Sequence, residues 1–135
     1  MGLSEHSIQS AYFDWARLHP EAREAFAIPN GGHRHVAVAS KLRREGVRRG
    51  VLDVCLPIPV ADSHGLWIEF KTGYNGLTAE QAEEASRLVS RGYTVAVCWD
   101  TEDAIKVTTD YLAGQLGPSL LLLRRASGRS ESRSQ

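Results

Sequence analysis

Two apolar segments that each contain an acidic residue decide the fold of this chain: Gly50-Val51-Leu52-Asp53-Val54-Cys55-Leu56-Pro57 and Leu66-Trp67-Ile68-Glu69-Phe70-Lys71. Both are rich in the residue types that favour β-strands, and a polar turn at residues 61–65 joins them, so they predict a β-hairpin. Burying an unpaired carboxylate is costly, so Asp53 and Glu69 are expected to be paired or to hold a cation.

The rest of the chain predicts helices and further strands around this hairpin. Helices are expected at residues 4–18, with Ser4 as N-cap, and at residues 35–45. Thr78 and Gln81 form a capping box that begins a third helix, and Thr101 is expected to cap a fourth. Strands are predicted at residues 93–99 and 120–123. The resulting fold class is α/β, a central mixed β-sheet flanked by α-helices.

Composition is that of an ordinary globular domain. The chain has 135 residues, of which 42% are hydrophobic and 24% charged. No apolar segment approaches the roughly 20 residues that span a bilayer, and no signal peptide is recognisable, so we expect one cytoplasmic domain at residues 1–125 and no membrane partner. Residues 126–135 are expected to form a disordered basic tail. Cys55 and Cys98 are expected to be buried free thiols.

The net charge is zero, but the charges are unevenly distributed. Residues 34–49 contain six Lys or Arg and one acid, whereas residues 51–123 contain ten carboxylates and four bases. A basic segment beside an acidic centre is typical of a protein that neutralises phosphate with one part and binds cations with the other. A solvated helix face with a basic tail would give the same counts. The basic residues that we expect to bind DNA are Arg34, Lys41, Arg44, Arg48 and Arg49.

The two acids of the hairpin suit a divalent metal. Mg²⁺ and Mn²⁺ prefer oxygen ligands, so Asp53, Glu69 and the main-chain carbonyl of Phe70 are candidate ligands. Lys71 lies on the same strand face as Glu69, where it can stabilise charge developing on a phosphate. Such a site can hydrolyse phosphodiester bonds with Asp53, Glu69 and Lys71 as catalytic residues.

Two residues on helices are expected to complete the site. Glu5 lies on the core side of the first helix and can bring a third metal-binding carboxylate beside Asp53. Gln81 lies in the first turn of the third helix, where it can face a phosphate. Simpler interpretations remain for each: Asp53 paired only with Lys71, Gln81 acting only as a cap, and Glu5 placed only by the helix dipole.

The sequence resembles the VRR-NUC family of the PD-(D/E)xK nuclease superfamily, over residues 5–103. The matching segments are residues 28–32, 39–50, 51–54, 65–71, 77–81 and 92–97. The resemblance implies a restriction-endonuclease-like fold and Mg²⁺- or Mn²⁺-dependent DNA cleavage. It also implies metal-binding or catalytic roles for Glu5, Asp53, Glu69, Lys71 and Gln81. Leu52 departs from the family pattern, which has proline before the catalytic Asp.

The resemblance is to stand-alone phage or bacterial members, which implies a homodimer and, in some members, cleavage of branched DNA such as four-way (Holliday) junctions. We therefore expect a structure-selective, metal-dependent DNA endonuclease. The first alternative is a non-catalytic nucleic-acid-binding module that has kept the fold. The second is a metal-dependent hydrolase acting on RNA or nucleotides.

Overall fold

One mixed β-sheet organises the chain, whose computed structural model describes residues 3–29 and 35–124. The described strands lie in the order β1-β2-β3-β4-β5, antiparallel from β1 to β3 and parallel from β3 to β5. They are β1 (Phe26–Ala27), β2 (Val54–Leu56), β3 (Leu66–Phe70), β4 (Thr94–Cys98) and β5 (Leu120–Leu123). The helices are α1 (Glu5–Ala16), α2 (Val36–Arg44), α3 (Ala79–Ser90) and α4 (Thr101–Leu112). The predicted fold class is confirmed.

Some of the sequence predictions fall outside the described ranges. These are Arg34, residues 30–32 of the loop motif, and the tail at residues 126–135.

The predicted hairpin is confirmed, with Val54 opposite Ile68 in the β2–β3 pairing. Strand β2 begins at Val54 rather than at residue 51, because the side chain of Asp53 accepts the Phe70 N–H that a main-chain carbonyl would otherwise accept.

Strand β1 was not predicted, since two residues give no periodic signal. It pairs with β2 in antiparallel fashion, and the Ile28 N–H donates to the Asp53 carbonyl at 2.8 Å. Asp53 is thus held between two neighbouring chain segments.

The helices cover both faces of the sheet. Helices α1 and α4 pack over the larger core, which includes Tyr12 and Phe70, whereas α3 packs over Leu52 and Val95 on the opposite face.

The N-caps Ser4 and Thr78 are confirmed. The prediction for α4 is wrong: its N-cap is Asp100, whose side chain accepts the Asp103 N–H. Thr101 does not cap because its hydroxyl donates to the Ile8 carbonyl and so ties α4 to α1.

Helix α2 stands apart from these layers. None of its residues is buried, and Val36 is 83% exposed. Gly46 follows it with a φ of +102°, a left-handed conformation that ends the helix.

Cys55 and Cys98 are buried free thiols, as predicted. Across residues 3–29 and 35–124, no helix has the length and apolar character needed to cross a membrane.

Candidate active site

Asp53 and Glu69 join the two strands of the hairpin through their side chains. The Phe70 N–H donates to Asp53 Oδ2 at 2.8 Å, and the Asp53 N–H donates to Glu69 Oε1 at 3.1 Å. Asp53, just before β2, therefore accepts an N–H from β3, and Glu69 in β3 accepts the N–H of Asp53 in return. This exchange brings the two acids together at the carboxyl end of β3, as the hairpin predicted. It also satisfies part of the hydrogen-bonding capacity of two poorly solvated carboxylates.

Lys71 lies beside Glu69, and both are buried. Glu69 is 3% exposed and Lys71 is 7% exposed. Lys71 Nζ lies 3.6 Å from Glu69 Oε2, an ion pair, and donates to Gln81 Oε1 at 2.8 Å. The simple interpretation that Asp53 pairs only with Lys71 does not describe this arrangement, because the short contacts of Lys71 are with Glu69 and Gln81.

Gln81 connects helix α3 to the two strand residues. Its Nε2 donates to Glu69 Oε2 at 2.9 Å, while its Oε1 accepts from Lys71 and from the Thr78 N–H, the latter at 3.0 Å. The Thr78 hydroxyl accepts the Gln81 N–H in return, which completes the predicted capping box. Gln81 is therefore both a cap and a member of the site, because one side chain bridges Glu69 and Lys71. We call Asp53, Glu69, Lys71 and Gln81 the carboxylate network.

Glu5 approaches the carboxylate network from the first turn of α1. The side chain is half-buried. Burial raises the pKa of Glu5, the ammonium of Lys71 opposes that shift, and the charge of Asp53 adds to it. These electrostatic effects indicate that the Glu5 carboxylate is close enough to feel the charges of Lys71 and Asp53, and its role as a metal ligand stays a prediction.

The carboxylate network would carry more negative charge than Lys71 offsets if both of its acids were ionised. Burial is the largest cause that raises the pKa of Glu69 to about 8, and the neighbouring Asp53 raises it further while Lys71 lowers it. Burial likewise raises the pKa of Asp53, against the hydrogen bond from Phe70 and the charge of Lys71. A set of buried acids that resists ionisation is one that a bound cation would stabilise.

The residues present fit a divalent cation held in an open site. Across the described parts of the chain, no three His, Cys, Asp or Glu side chains are grouped closely enough to hold an ion by themselves. Mg²⁺ needs no such cage, because it keeps several waters and is commonly bound by one or two carboxylates. Asp53 and Glu69 together offer two carboxylates of this kind, which meets that requirement without a third acid.

The Phe70 carbonyl lies on the side of β3 that faces Asp53. Lys71 donates its main-chain N–H to Cys98 in β4, whereas Phe70 donates in the opposite direction, to Asp53. In an extended strand the N–H and C=O of one residue point to the same side. The Phe70 carbonyl therefore points towards the Asp53 side of β3, where it is available as the further oxygen ligand predicted from the sequence.

The predicted DNA-binding residues lie outside the carboxylate network. The Arg48 guanidinium donates to both oxygens of Glu84, at 2.8 and 3.1 Å, and Arg49 Nε lies 3.6 Å from Glu80 Oε2. Both arginines are therefore joined to α3. Lys41 and Arg44 are exposed on α2. These pairings were not foreseen, since residues 48 and 84 are distant in sequence and neither segment indicates the other.

Gly50 allows the chain between the two arginines and Asp53 to pass close to helix α3. Its φ is +86°, and a Cβ added there would lie 2.7 Å from the main-chain oxygen of Glu80. Only glycine fits such a close approach. The segment of residues 48–50 is therefore packed against the first turns of α3, the helix that carries Gln81.

A cleft that the sequence did not predict opens beside Asp53. It has a volume of about 1080 Å³ and lies between α1 and the β1 segment. Its lining includes the polar residues His6, Gln9 and Arg23 and the apolar residues Phe13 and Ile28. The cleft depends on the placement of β1 next to β2, and no local pattern in the sequence indicates that placement.

Comparisons with known proteins bear on the fold. A solved structure of a VRR_NUC domain protein matches with a TM-score of 0.74 and 27% sequence identity, covering 84% of this chain and 92% of that chain. No family model and no curated protein matches the chain. The structural match covers most of both chains, and it supports the VRR-NUC family and the restriction-endonuclease-like fold that the sequence motifs predicted.

Proposed function

We propose that this VRR-NUC-type domain is a metal-dependent DNA endonuclease that hydrolyses phosphodiester bonds and selects its substrate by DNA structure. The observation that carries the proposal is the carboxylate network, in which Gln81 bridges Glu69 and Lys71 while Asp53 exchanges hydrogen bonds with β3. Acids with raised pKa values beside a fixed ammonium, next to a cleft, are typical of an active site.

The cation is proposed to be Mg²⁺ or Mn²⁺, held by Asp53, Glu69 and the Phe70 carbonyl, with Glu5 as a further ligand. When bound, such a cation supplies Lewis-acid activation of water and neutralises charge on the leaving oxygen. Lys71 contributes a positive charge that stabilises the negative charge developing on the phosphate. Gln81 holds the Lys71 ammonium in place, so that little reorganisation is needed during the reaction.

DNA is proposed to bind through its phosphates, on the basic residues Lys41, Arg44, Arg48 and Arg49, to which the sequence adds Arg34. Phosphate contacts position DNA without reading its sequence, so recognition would depend on the shape of the substrate. The exposed side chains of α2 suit this role, because the helix is not committed to the core. We also propose that the protein acts as a homodimer, which would place two sites on one branched DNA.

The testing experiment is cleavage of defined DNA substrates by the purified full chain. Duplex, flap, single-stranded and four-way-junction DNA are incubated with Mg²⁺, Mn²⁺ or EDTA. Cleavage that requires a divalent ion, prefers branched substrates and disappears in Lys71→Ala supports the proposal. DNA binding with a steep salt dependence but no cleavage under any condition would instead identify a non-catalytic binding module. A single-stranded RNA is incubated in parallel, and cleavage of RNA alone would support a metal-dependent hydrolase acting on RNA.

A further inference from the structure

Three residues lie in one row at the carboxyl ends of the parallel strands. The β3–β4 register pairs Phe70 with Cys98, and the β4–β5 register pairs Cys98 with Leu123. The residues that follow these partners are Lys71, Trp99 and Arg124. Because neighbouring strands lie about 4.8 Å apart, the backbones of Trp99 and Arg124 are roughly 5 and 10 Å from that of Lys71. The row therefore continues the active-site edge across the sheet.

The side chains at the far end of this row form a cluster with Tyr74. The Arg124 guanidinium lies over the Trp99 ring, 4.7 Å from its centroid, and 5.8 Å from the centroid of Tyr74. Arg124 also donates to the Gly73 carbonyl, and Trp99 Nε1 donates to the Asn75 carbonyl at 3.0 Å. We call Tyr74, Trp99 and Arg124 the aromatic edge. Its hydrogen bonds hold the loop on both sides of Tyr74.

Tyr74 presents its ring to solvent. The residue is 99% exposed, although the main chain on either side of it is anchored. It follows Lys71 by three residues, so the chain between them can span at most about 11 Å. A large aromatic ring that contributes nothing to the core, on an anchored loop next to the carboxylate network, suits contact with a ligand rather than packing.

A nucleobase is the ligand chemistry that this cluster fits. Every base offers a π-face for stacking on an aromatic ring, and a guanidinium beside the ring adds a contact for the phosphate. A base inside a duplex already stacks on its neighbours, whereas an unpaired base can expose a π-face that stacks on an aromatic side chain. Stacking would therefore favour DNA with unpaired nucleotides next to the cleaved bond.

We propose that the aromatic edge stacks on an unpaired nucleobase of the DNA strand bound at the carboxylate network, with Arg124 contacting a neighbouring phosphate. This inference rests on the proposed function and names the substrate feature that the site selects. Tyr74 supplies the stacking face, while Trp99 and Gly73 hold Arg124 beside it. Tyr74 is thus a specificity-determining residue, distinct from the carboxylate network that carries the chemistry.

The test compares Tyr74→Ala and Tyr74→Phe with wild type. Affinity is measured by fluorescence anisotropy in EDTA for a single strand, a gapped duplex and a blunt duplex. Tyr74→Ala is expected to weaken binding of the single strand and the gapped duplex about 5- to 100-fold, the range for losing one stacked base, and to leave the blunt duplex unchanged. Tyr74→Phe keeps the ring and should bind like wild type. Leu18→Ala, at another exposed apolar residue, is the matched control.

The outcomes separate this inference from the proposed function. Equal affinities of Tyr74→Ala and wild type for all three substrates would overturn the stacking role, even if wild type cleaves DNA. An equal loss for Tyr74→Ala on all three substrates would also overturn it, because selectivity for unpaired bases would be absent. A change in oligomeric state in Tyr74→Ala without a change in DNA affinity would instead identify a protein contact. Failure of wild type to bind any DNA would contradict the proposed function itself.

Discussion

Lys71 Nζ donates to Gln81 Oε1 at 2.8 Å, so the ammonium that directly follows β3 is held by a residue in the first turn of α3. The same Gln81 side chain also donates to Glu69 and accepts the Thr78 N–H. An ammonium, a carboxylate and a helix cap therefore share one amide. The proposed catalytic geometry and the beginning of α3 are consequently coupled, and this coupling can be tested by substitutions.

Removing the Lys71 charge should abolish cleavage while the fold persists. Lys71→Ala is expected to lower kcat by about 100-fold or more, because a fixed charge near the developing negative charge is lost. Steady-state cleavage assays with Mn²⁺ measure the effect, and circular dichroism checks the fold. Lys106→Ala removes an exposed lysine elsewhere and should leave kcat unchanged. Asp53→Ala should abolish cleavage as well, and full activity in either site variant would contradict the mechanism.

Gln81→Ala should affect both activity and stability, whereas Thr78→Ala should affect stability. Loss of the amide frees Lys71 and Glu69 and is expected to reduce activity about 10- to 100-fold, as for other residues that orient ligands. Loss of the cap hydroxyl costs about 1 kcal/mol of unfolding free energy but keeps the Gln81 bridge. Urea unfolding and cleavage rates separate the two effects. Equal activities of the two variants would show that Gln81 acts only as a cap.

The metal-free protein should lose stability as the pH rises. Glu69 keeps its proton in the native state up to a pKa of about 8, but releases it near 4.5 when unfolded. The native state then binds more protons than the unfolded state between these values. The unfolding free energy should therefore fall across this window, by on the order of a few kcal/mol.

Thermal melts in EDTA at pH 5.5 and pH 9 measure this pH effect. Glu69→Gln cannot ionise and should flatten the dependence while raising the Tm at pH 9. Adding Mn²⁺ to wild type at pH 9 should raise the Tm, since a bound cation stabilises the ionised acids. A Tm of the metal-free wild type that is higher at pH 9 than at pH 5.5 would contradict the inferred charge excess.

Charge reversal at Arg44 and Arg48 should weaken DNA binding for all sequences alike. Arg44 is exposed on α2, so Arg44→Glu is expected to lower affinity and the slope of log affinity against log salt without changing stability. Arg48→Glu should also destabilise the protein by at least about 1 kcal/mol, because Arg48 pairs with the buried Glu84.

Anisotropy titrations at several salt concentrations, together with urea unfolding, distinguish the two arginines. Arg91→Glu, at the C-cap of α3, is the matched control for DNA binding and should leave the affinity unchanged, although an acid at the carboxyl end of a helix lowers stability by about 0.3–1 kcal/mol. A loss confined to one DNA sequence would indicate direct readout of bases in place of phosphate contacts.

Much of the fold could be predicted from local signals. The hairpin follows from two short β-rich segments joined by a polar turn, and the beginnings of α1 and α3 follow from Ser4 and from the Thr78–Gln81 box. The predicted cap of α4 was wrong, because Asp100 and Thr101 are both suitable caps and only the contact of Thr101 with Ile8 decides between them. Strand β1 was missed because two residues carry no pattern.

The sequence by itself determined that Asp53, Glu69 and Lys71 lie at the end of a hairpin, because alternation along a strand and pairing across a turn are local rules. Only the tertiary structure decided that Gln81 bridges Glu69 and Lys71, that Arg48 pairs with Glu84, and that Arg124 lies over the Trp99 ring. These contacts join segments distant in the chain. Their physical cause is the register of the parallel strands and the packing of α3 on the sheet.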